Sequence, residues 1–133
     1  MVRTKKFSRK REAILRALRG TDSHPSAEWL HQRVKPEFPD LSLGTVYRNL
    51  AQFKEEGLAM SVGVVQGQER FDGNTSPHPH FICEACGAVL DIPNLEQDRT
   101  LDRLAEDLLK TPVRGHELTF RGICPQCDKA EKA

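Results

Sequence analysis

The chain has 133 residues, of which 38% are apolar and 29% charged, as is typical of a soluble globular protein rather than a disordered or membrane protein. Its apolar runs are shorter than the roughly 20 residues needed to span a bilayer, and its charged N-terminus lacks the apolar segment of a secretory signal. We therefore expect a cytoplasmic protein with one ordinary domain or two small ones and no membrane partner.

The charge is distributed unevenly along the chain. Residues 1–70 carry 13 Lys/Arg and 8 Asp/Glu, a net charge of +5, whereas residues 71–133 carry 7 and 11, a net charge of −4; together they give the overall +1. A basic half joined to an acidic half indicates two modules, the basic one facing a polyanion. The alternative is that the basic surface is simply solvated.

Three helices are predicted in the first half of the chain. After a flexible basic arm over residues 1–7, the first helix begins at Ser8 and stops at Gly20. A second helix follows residues 23–26, and a third covers residues 42–56. The third has an apolar stripe at i, i+3, i+7 and i+10, formed by Leu43, Val46, Leu50 and Phe53.

Residues 60–72 then read as two short strands around Gly67, a β-hairpin. Three helices followed by a hairpin form the winged helix-turn-helix pattern, in which the last helix enters the major groove of DNA. Tyr47 and Arg48 are the foremost candidates for contacting DNA, because Arg can pair with guanine and Tyr can touch a thymine methyl or a phosphate. The full candidate set on the polar face is Ser42, Thr45, Tyr47 and Arg48. The alternative is a solvated helix face.

The second half begins with a segment rich in Gly, Asn, Ser and Pro over residues 72–79, which reads as a hinge. Beyond it we predict strands at 80–83 and 87–92, a helix over Leu95 to Leu109 and a third strand over 116–124. This β-β-α-β module is small for independent stability, so a structural metal and a partner subunit would each stabilise it.

Four cysteines form two C-x-x-C pairs separated by 37 residues, and they are Cys83, Cys86, Cys124 and Cys127. In a cytosolic chain they favour metal ligation over disulfides, because each pair can present two thiolates to one tetrahedral ion. We predict a closed, structural Zn²⁺ site. The alternative is a thiol redox switch built on the C-P-Q-C motif, although no βαβ pattern precedes that motif.

A second group of candidate ligands consists of histidines and aspartates: His24, Asp72, His78, His80 and Asp91. His78 and His80 are two residues apart, so both rings project from one face of an extended segment. A shell of nitrogen and carboxylate oxygen without thiolate suits Fe²⁺ or Mn²⁺, with Zn²⁺ as a competitor. The alternative is that these histidines, which alternate with prolines, are simply solvated.

Several motifs occur together in a characteristic order: S-L-G-T-V-Y-R-N-L, E-R-F-D, H-x-H-F-I-C-x-x-C-G and a final G-I-C-x-x-C. In this the chain resembles the ferric uptake regulator (Fur) family from about Ser8 to Cys127. The resemblance implies a homodimeric, metal-dependent transcriptional repressor of α+β fold that binds a double-stranded DNA operator. It further implies a winged-helix DNA-binding domain (1–71), a hinge (72–79) and a dimerisation and metal-binding domain (80–133) with the four-cysteine zinc.

The same resemblance implies that His24, Asp72, His78, His80 and Asp91 hold the regulatory Fe²⁺ or Mn²⁺. Aspartates at 72 and 91 resemble the peroxide-responsive branch of the family, where iron-uptake sensors more usually have glutamates. In that branch peroxide oxidises a ligand histidine at bound Fe²⁺, which makes His24 and His78 the oxidation-sensitive candidates. Peroxide would be the only small molecule on which the protein acts, and the resemblance implies no enzyme.

Two departures from the family pattern affect these expectations. A third metal site of some relatives would require a His and an Asp where this chain has Pro77 and Pro79; His116 and Asp98 remain, so we do not expect that site. The chain also has only seven residues before Ser8, where many relatives have a further helix. The basic arm over residues 1–7 would then supply the DNA contacts that this helix makes in those relatives.

Two alternatives to peroxide sensing stay open. Within the family, the chain could be an iron, manganese or zinc uptake regulator without peroxide chemistry. Outside it, a thiol redox switch would use the four cysteines. A zinc hydrolase would need an open metal position beside a general base such as Asp72 or Glu117, and no H-E-x-x-H motif is present.

Overall fold

The computed structural model describes residues 8–92 and 99–132, which divide into two compact units between Thr75 and Ser76. The first unit contains α1 (Arg9–Arg19), α2 (Ala27–Val34), α3 (Leu43–Glu55), β1 (Met60–Val65) and β2 (Gln68–Asp72). The second contains β3 (His80–Cys83), β4 (Val89–Asp91), α4 (Thr100–Leu109), β5 (Thr119–Gly122) and α5 (Pro125–Lys132).

Serine N-caps set the start of all three helices of the first unit. The hydroxyl oxygens of Ser8, Ser26 and Ser42 each accept a hydrogen bond from the backbone N–H three residues later, at 3.2, 3.2 and 3.1 Å. Each bond satisfies an N–H that the first helical turn would otherwise leave without a partner. The predicted helices are therefore confirmed, and α1 ends at Gly20 as expected.

The core of the first unit lies between the apolar stripes of its helices. Val46, Leu50 and Phe53 of α3 are at most 1% exposed and pack with residues of α1 and α2 such as Ile14 and Leu30. Burying side chains of this size stabilises the fold by about 1.5–3 kcal/mol each. The stripe thus fixes which face of α3 remains outward.

The hairpin β1–β2 is antiparallel, as predicted. Its two-residue turn at Gln66 and Gly67 has φ of +52° and +81°, the left-handed geometry that matches the twist of the strands. The N–H of Phe71 donates to the carbonyl of Pro25 at 2.9 Å, and the Phe71 ring is buried. Strand β2 is thereby fixed against the loop that precedes α2.

The second unit is built on a three-stranded sheet of order β4-β3-β5. Strand β3 pairs antiparallel with β4, with His80 opposite Asp91, and parallel with β5. The predicted strands over 87–92 and 116–124 are thus confirmed in position but are shorter, since pairing extends only over Val89–Asp91 and Thr119–Gly122. The parallel pairing and α5 were not predicted.

Helix α4 begins at Thr100, and the predicted helical residues 95–98 lie outside the described residues. Its leucines form an exposed apolar face: Leu101, Leu104, Leu108 and Leu109 are 49, 53, 84 and 65% exposed. The residue of α4 that is buried is Asp102, at 4%. Within the described residues, none of the helices combines the length and apolar character needed to cross a bilayer.

Candidate metal centres and nucleic-acid interface

The four cysteines meet in the second unit. Cys83 ends β3, Cys86 follows in the turn toward β4, and Cys124 and Cys127 lie at and just inside the start of α5. Their four sulfur atoms lie within 4.8 Å of one another, and all four thiols are free rather than disulfide-bonded. Pro125 occupies the first position of α5, where its missing N–H has no consequence for the helix.

The sulfur geometry fits a tetrahedral ion. Two ligands of a tetrahedral Zn²⁺ at the usual Zn–S distance of about 2.3 Å are separated by about 3.8 Å. The Sγ atoms of Cys86 and Cys124 are 3.9 Å apart. The four-thiolate set has no open position, which is the pattern of a structural rather than a catalytic zinc.

Backbone N–H groups stabilise the thiolate form of Cys83. The N–H groups of Cys124 and Cys86 donate to the sulfur of Cys83 at 3.3 and 3.5 Å and lower the pKa of that thiol to about 6. Hydrogen bonding with the sulfurs of Cys124 and Cys86 raises the pKa of Cys127 to about 12. Four adjacent thiols cannot all ionise without a compensating cation, and a dication supplies that charge.

The first unit brings together two of the five predicted regulatory ligands. His24 Nε2 lies 3.2 Å from Asp72 Oδ2, and the two side chains are 1% and 10% exposed. Asp72 ends β2, while His24 sits in the loop before α2 with a φ of +53°. Non-glycine residues adopt this left-handed backbone rarely, and where they do, surrounding contacts hold it.

The second unit brings together the other three. Asp91 Oδ1 lies 2.8 Å from His78 Nε2 and 3.3 Å from His80 Nε2. The pairing of β3 with β4 places His80 directly opposite Asp91, and the rings of His78 and His80 are 4.3 Å apart. Two ligands at right angles on an ion about 2.1 Å away are separated by about 3 Å, so these distances fit a shared metal.

The tautomer of His78 also fits metal binding. Its Nδ1 lies 2.6 Å from the carbonyl oxygen of Ser76. Because a carbonyl only accepts, Nδ1–H is the donor, which leaves Nε2 as the ring nitrogen that could ligate a cation. A histidine that ligates a metal commonly donates its second N–H to a backbone carbonyl in this way.

The candidate DNA-contacting residues lie near the N-terminal end of α3, outside the core. Ser42 Oγ is 2.9 Å from Thr45 Oγ1, which in turn accepts from Arg48 Nη2 at 3.0 Å. Arg48 is exposed, and Tyr47 is 44% exposed. Ser42 and Thr45 therefore position the Arg48 guanidinium over the first turn of the helix.

Three residues that sequence reasoning missed contact the predicted ones. Glu28 accepts a 2.7 Å hydrogen bond from Tyr47 Oη; this bond lowers the pKa of Glu28 and raises that of Tyr47. Arg70 donates to backbone carbonyls beside His24. Of these, only Arg70 had a sequence signal, since it stands in the E-R-F-D motif.

The third is Asp102, whose Oδ1 lies 2.7 Å from His116 Nδ1. His116 was considered as a ligand for a third metal site, together with Asp98. Its ring is paired with a buried carboxylate of α4, and Asp98 lies outside the described residues, so the expectation that this third site is missing stays a prediction. This contact joins α4 to the chain just before β5.

Comparison with known proteins gives matches along most of the chain. The model of the ferric uptake regulator family matches residues 3–121. The peroxide-responsive repressor PerR of Staphylococcus aureus is 37% identical over 119 residues, covering 88% of this chain and 78% of that protein. The Vibrio cholerae ferric uptake regulator structure, which has DNA-binding domains, is 28% identical with a TM-score of 0.69 and coverages of 90% and 92%. The Campylobacter jejuni peroxide stress regulator is 25% identical with a TM-score of 0.71 and coverages of 89% and 88%.

Proposed function

Because the chain belongs to the ferric uptake regulator family, whose members are dimeric DNA-binding regulators, we propose that it is a metal-dependent transcriptional repressor that senses peroxide. The resemblance expected from the motifs is thereby confirmed. The observation that carries the proposal is the contact of one Asp91 oxygen with Nε2 of both His78 and His80. The two histidines of this cluster lie on the same short segment as two of the cysteines, yet the cluster offers nitrogen and oxygen donors rather than sulfur.

In this proposal the cysteine cluster holds a permanent Zn²⁺. Structural zinc binding contributes about 10–16 kcal/mol in small domains at neutral pH, enough to decide whether such a domain folds. The second unit has a three-stranded sheet and an exposed apolar helix, so its own core is small. The metal therefore stabilises the unit and fixes the end of β3, the strand that carries His80.

The regulatory metal is bound by His24, Asp72, His78, His80 and Asp91. The donor set supports this assignment, because two carboxylates and three imidazoles without thiolate suit Fe²⁺ or Mn²⁺. The first unit contributes His24 with Asp72, and the second contributes the other three. A metal that needs ligands from both units binds one relative arrangement of the units more tightly than others, and it shifts the population toward that arrangement.

The switch then acts through the hinge. We assign residues 1–71 to DNA binding, 72–79 to the hinge and 80–133 to dimerisation and metal binding. In a two-fold dimer, fixing the hinge fixes the separation of the two α3 helices, which must match half-sites one helical turn, or a multiple of it, apart. Arg48 and Tyr47, supported by Ser42 and Thr45, make the contacts with base edges and phosphates.

The dimer contact is assigned to the exposed apolar face of α4. Leu104 is 53% and Leu108 is 84% exposed in the single chain, and Phe120 on β5 is 43% exposed. Exposed apolar surface of this kind marks interaction sites in soluble proteins. A second copy of the chain is the partner that the family implies.

Peroxide sensing is the second part of the proposal for the regulatory metal site. The S. aureus relative is a peroxide-responsive repressor, and this chain has aspartate at both carboxylate positions of the site. His24 and His78 would hold Fe²⁺, which would mediate the passage of two electrons from a ligand ring to peroxide and end unchanged. One peroxide oxygen is added to a ring carbon of His24 or His78 and the other leaves as water, so the ring is oxidised as peroxide is reduced. The altered ring no longer serves as a ligand, and the DNA-binding form is lost.

The test is DNA binding by zinc-loaded protein with Fe²⁺ or Mn²⁺, with and without hydrogen peroxide. The probe is a duplex selected from a random-sequence library with the Mn²⁺-loaded dimer. We expect both metals to support binding and peroxide to abolish it only with Fe²⁺. Binding that resists peroxide with both metals would identify a metal-uptake regulator instead. Loss of binding with both metals, accompanied by zinc release, would identify a thiol switch.

A further inference from the structure

Strand β2 holds the loop that carries His24 through three consecutive carbonyls. Arg70 Nη2 donates to the carbonyl of Ser23 at 2.7 Å, and Arg70 Nε donates to the carbonyl of His24 itself. The N–H of Phe71 donates to the carbonyl of Pro25 at 2.9 Å. All three bonds bridge more than forty residues of sequence, so the loop is shaped by β2 rather than by its own neighbours.

Arg70 engages two of these carbonyls with one edge of its guanidinium. The planar fork presents donors in fixed directions, a geometry that a lysine ammonium cannot reproduce. Burial lowers the pKa of Arg70, yet the group remains charged, so both bonds are charge-assisted and strong. They fall on either side of the one residue in the loop with a left-handed backbone, His24 at a φ of +53°.

The same strand also holds the side chain of His24. Arg70 and Asp72 are two residues apart on β2, and side chains at that spacing project from one face of a strand. Asp72 Oδ2 lies 3.2 Å from His24 Nε2. Strand β2 therefore contacts His24 at two points: Asp72 at Nε2 of the imidazole and Arg70 at the backbone carbonyl. The imidazole is 1% exposed.

We propose that Arg70 is a positioning residue for the regulatory metal, which sets metal affinity by holding His24 in its ligating conformation. This inference rests on the proposed function, since it takes His24 as a ligand. Without Arg70 the loop would relax toward ordinary backbone conformations and the imidazole would have to be reordered each time a metal binds. The energy of that reordering would be subtracted from metal affinity, because preorganised ligands bind more tightly.

The experiment measures Mn²⁺ binding to the zinc-loaded dimer by the electron paramagnetic resonance signal of free Mn²⁺. Removing groups that orient metal ligands typically weakens binding about 10- to 100-fold, and we expect a loss in this range for Arg70→Gln. Arg70→Lys should fall between it and the wild type. Arg33→Gln is the matched control, since Arg33 is an exposed arginine on α2 of the same unit, and it should bind Mn²⁺ like the wild type.

Combining variants distinguishes a role of Arg70 through His24 from a general structural role. If Arg70 acts through His24, Arg70→Gln added to His24→Ala should weaken residual Mn²⁺ binding by less than about twofold. Wild-type Mn²⁺ affinity in Arg70→Gln overturns the inference, as does a full additive loss in the double variant. Circular dichroism of the metal-free proteins checks folding, and Arg70→Lys keeps the test decisive if Arg70→Gln does not fold. A wild type that binds no exchangeable Mn²⁺ would overturn the proposed function as well.

Discussion

Replacing His24 by alanine removes the one imidazole that the first unit is proposed to contribute to the regulatory site. Its ring is 1% exposed and lies 3.2 Å from Asp72 Oδ2. The zinc cysteines all belong to the other unit. His24→Ala should therefore keep the zinc and the dimer while losing metal-dependent DNA binding.

The size of the effect can be bounded. Loss of an outer-shell partner already weakens metal binding by up to about 100-fold, and loss of a direct ligand should weaken it at least that much, about 2.7 kcal/mol. A complete two-state switch needs about 5.5 kcal/mol of preference for one state. His24→Ala should thus remove about half of that preference or more, and leave about half of the protein or more in the form that does not bind DNA.

The assay is fluorescence anisotropy of the selected duplex at a Mn²⁺ concentration that half-saturates the wild type. The matched control is His31→Ala in the same unit. His31 Nε2 lies 2.8 Å from the carbonyl oxygen of Leu41, which accepts its N–H, and His31 is not among the proposed ligands. His31→Ala should cost about 1 kcal/mol of stability and leave the Mn²⁺ dependence intact. Wild-type Mn²⁺-dependent affinity in His24→Ala would refute the assignment of His24 as a ligand.

Three further predictions concern the zinc, the dimer and DNA. Cys124→Ser should release zinc and unfold the second unit, as measured by a chromophoric zinc chelator and thermal melting; full zinc occupancy would contradict the four-thiolate site. Leu108→Glu should dissociate the dimer in analytical ultracentrifugation, because it places a charge on the exposed face of α4, whereas Val64→Glu, on a strand of the other unit at 66% exposure, should not. Arg48→Ala should weaken operator binding by about 1–3 kcal/mol and relax base preference; equal weakening on all sequences would restrict Arg48 to phosphate contact.

The helical half of the fold was predictable from the sequence because local signals agree with tertiary packing. Ser8 and Ser42 cap their helices as their positions indicate, and the stripe that ends at Phe53 is the stripe that is buried. The zinc site was predictable for a similar reason, since ligand spacing is a local property. Helix α5 was missed because its first residues were read only as cysteine spacing.

The remaining features depend on contacts that leave no local pattern. The role of Arg70 lies in backbone carbonyls, which every residue has, so its partners cannot be read from side-chain types. Asp102 on an amphipathic helix reads as a surface residue, yet it is 4% exposed and its Oδ1 lies 2.7 Å from Nδ1 of His116, fourteen residues away. The helix that contains α4 was predicted, but the exposure of its leucines was not, because it depends on which described residues pack against that face.

The segment from His78 to Cys86 joins the two kinds of site. Cys83 and Cys86 belong to a four-thiolate cluster in which backbone N–H groups stabilise the thiolate of Cys83. His78 and His80, a few residues earlier, belong to the cluster with Asp91. In the proposed account the permanent metal fixes the strand from which the exchangeable metal is bound, and only the exchangeable metal responds to peroxide.

The most direct test of this account follows zinc and histidine oxidation in one sample while peroxide is added to the Fe²⁺-loaded protein on its operator duplex. We predict that DNA release coincides with the gain of one oxygen atom on the peptide that contains His24 or His78, while zinc stays bound and the four thiols stay unmodified. DNA release with zinc loss and no oxygen on either histidine would contradict the central claim and place the sensor at the cysteines.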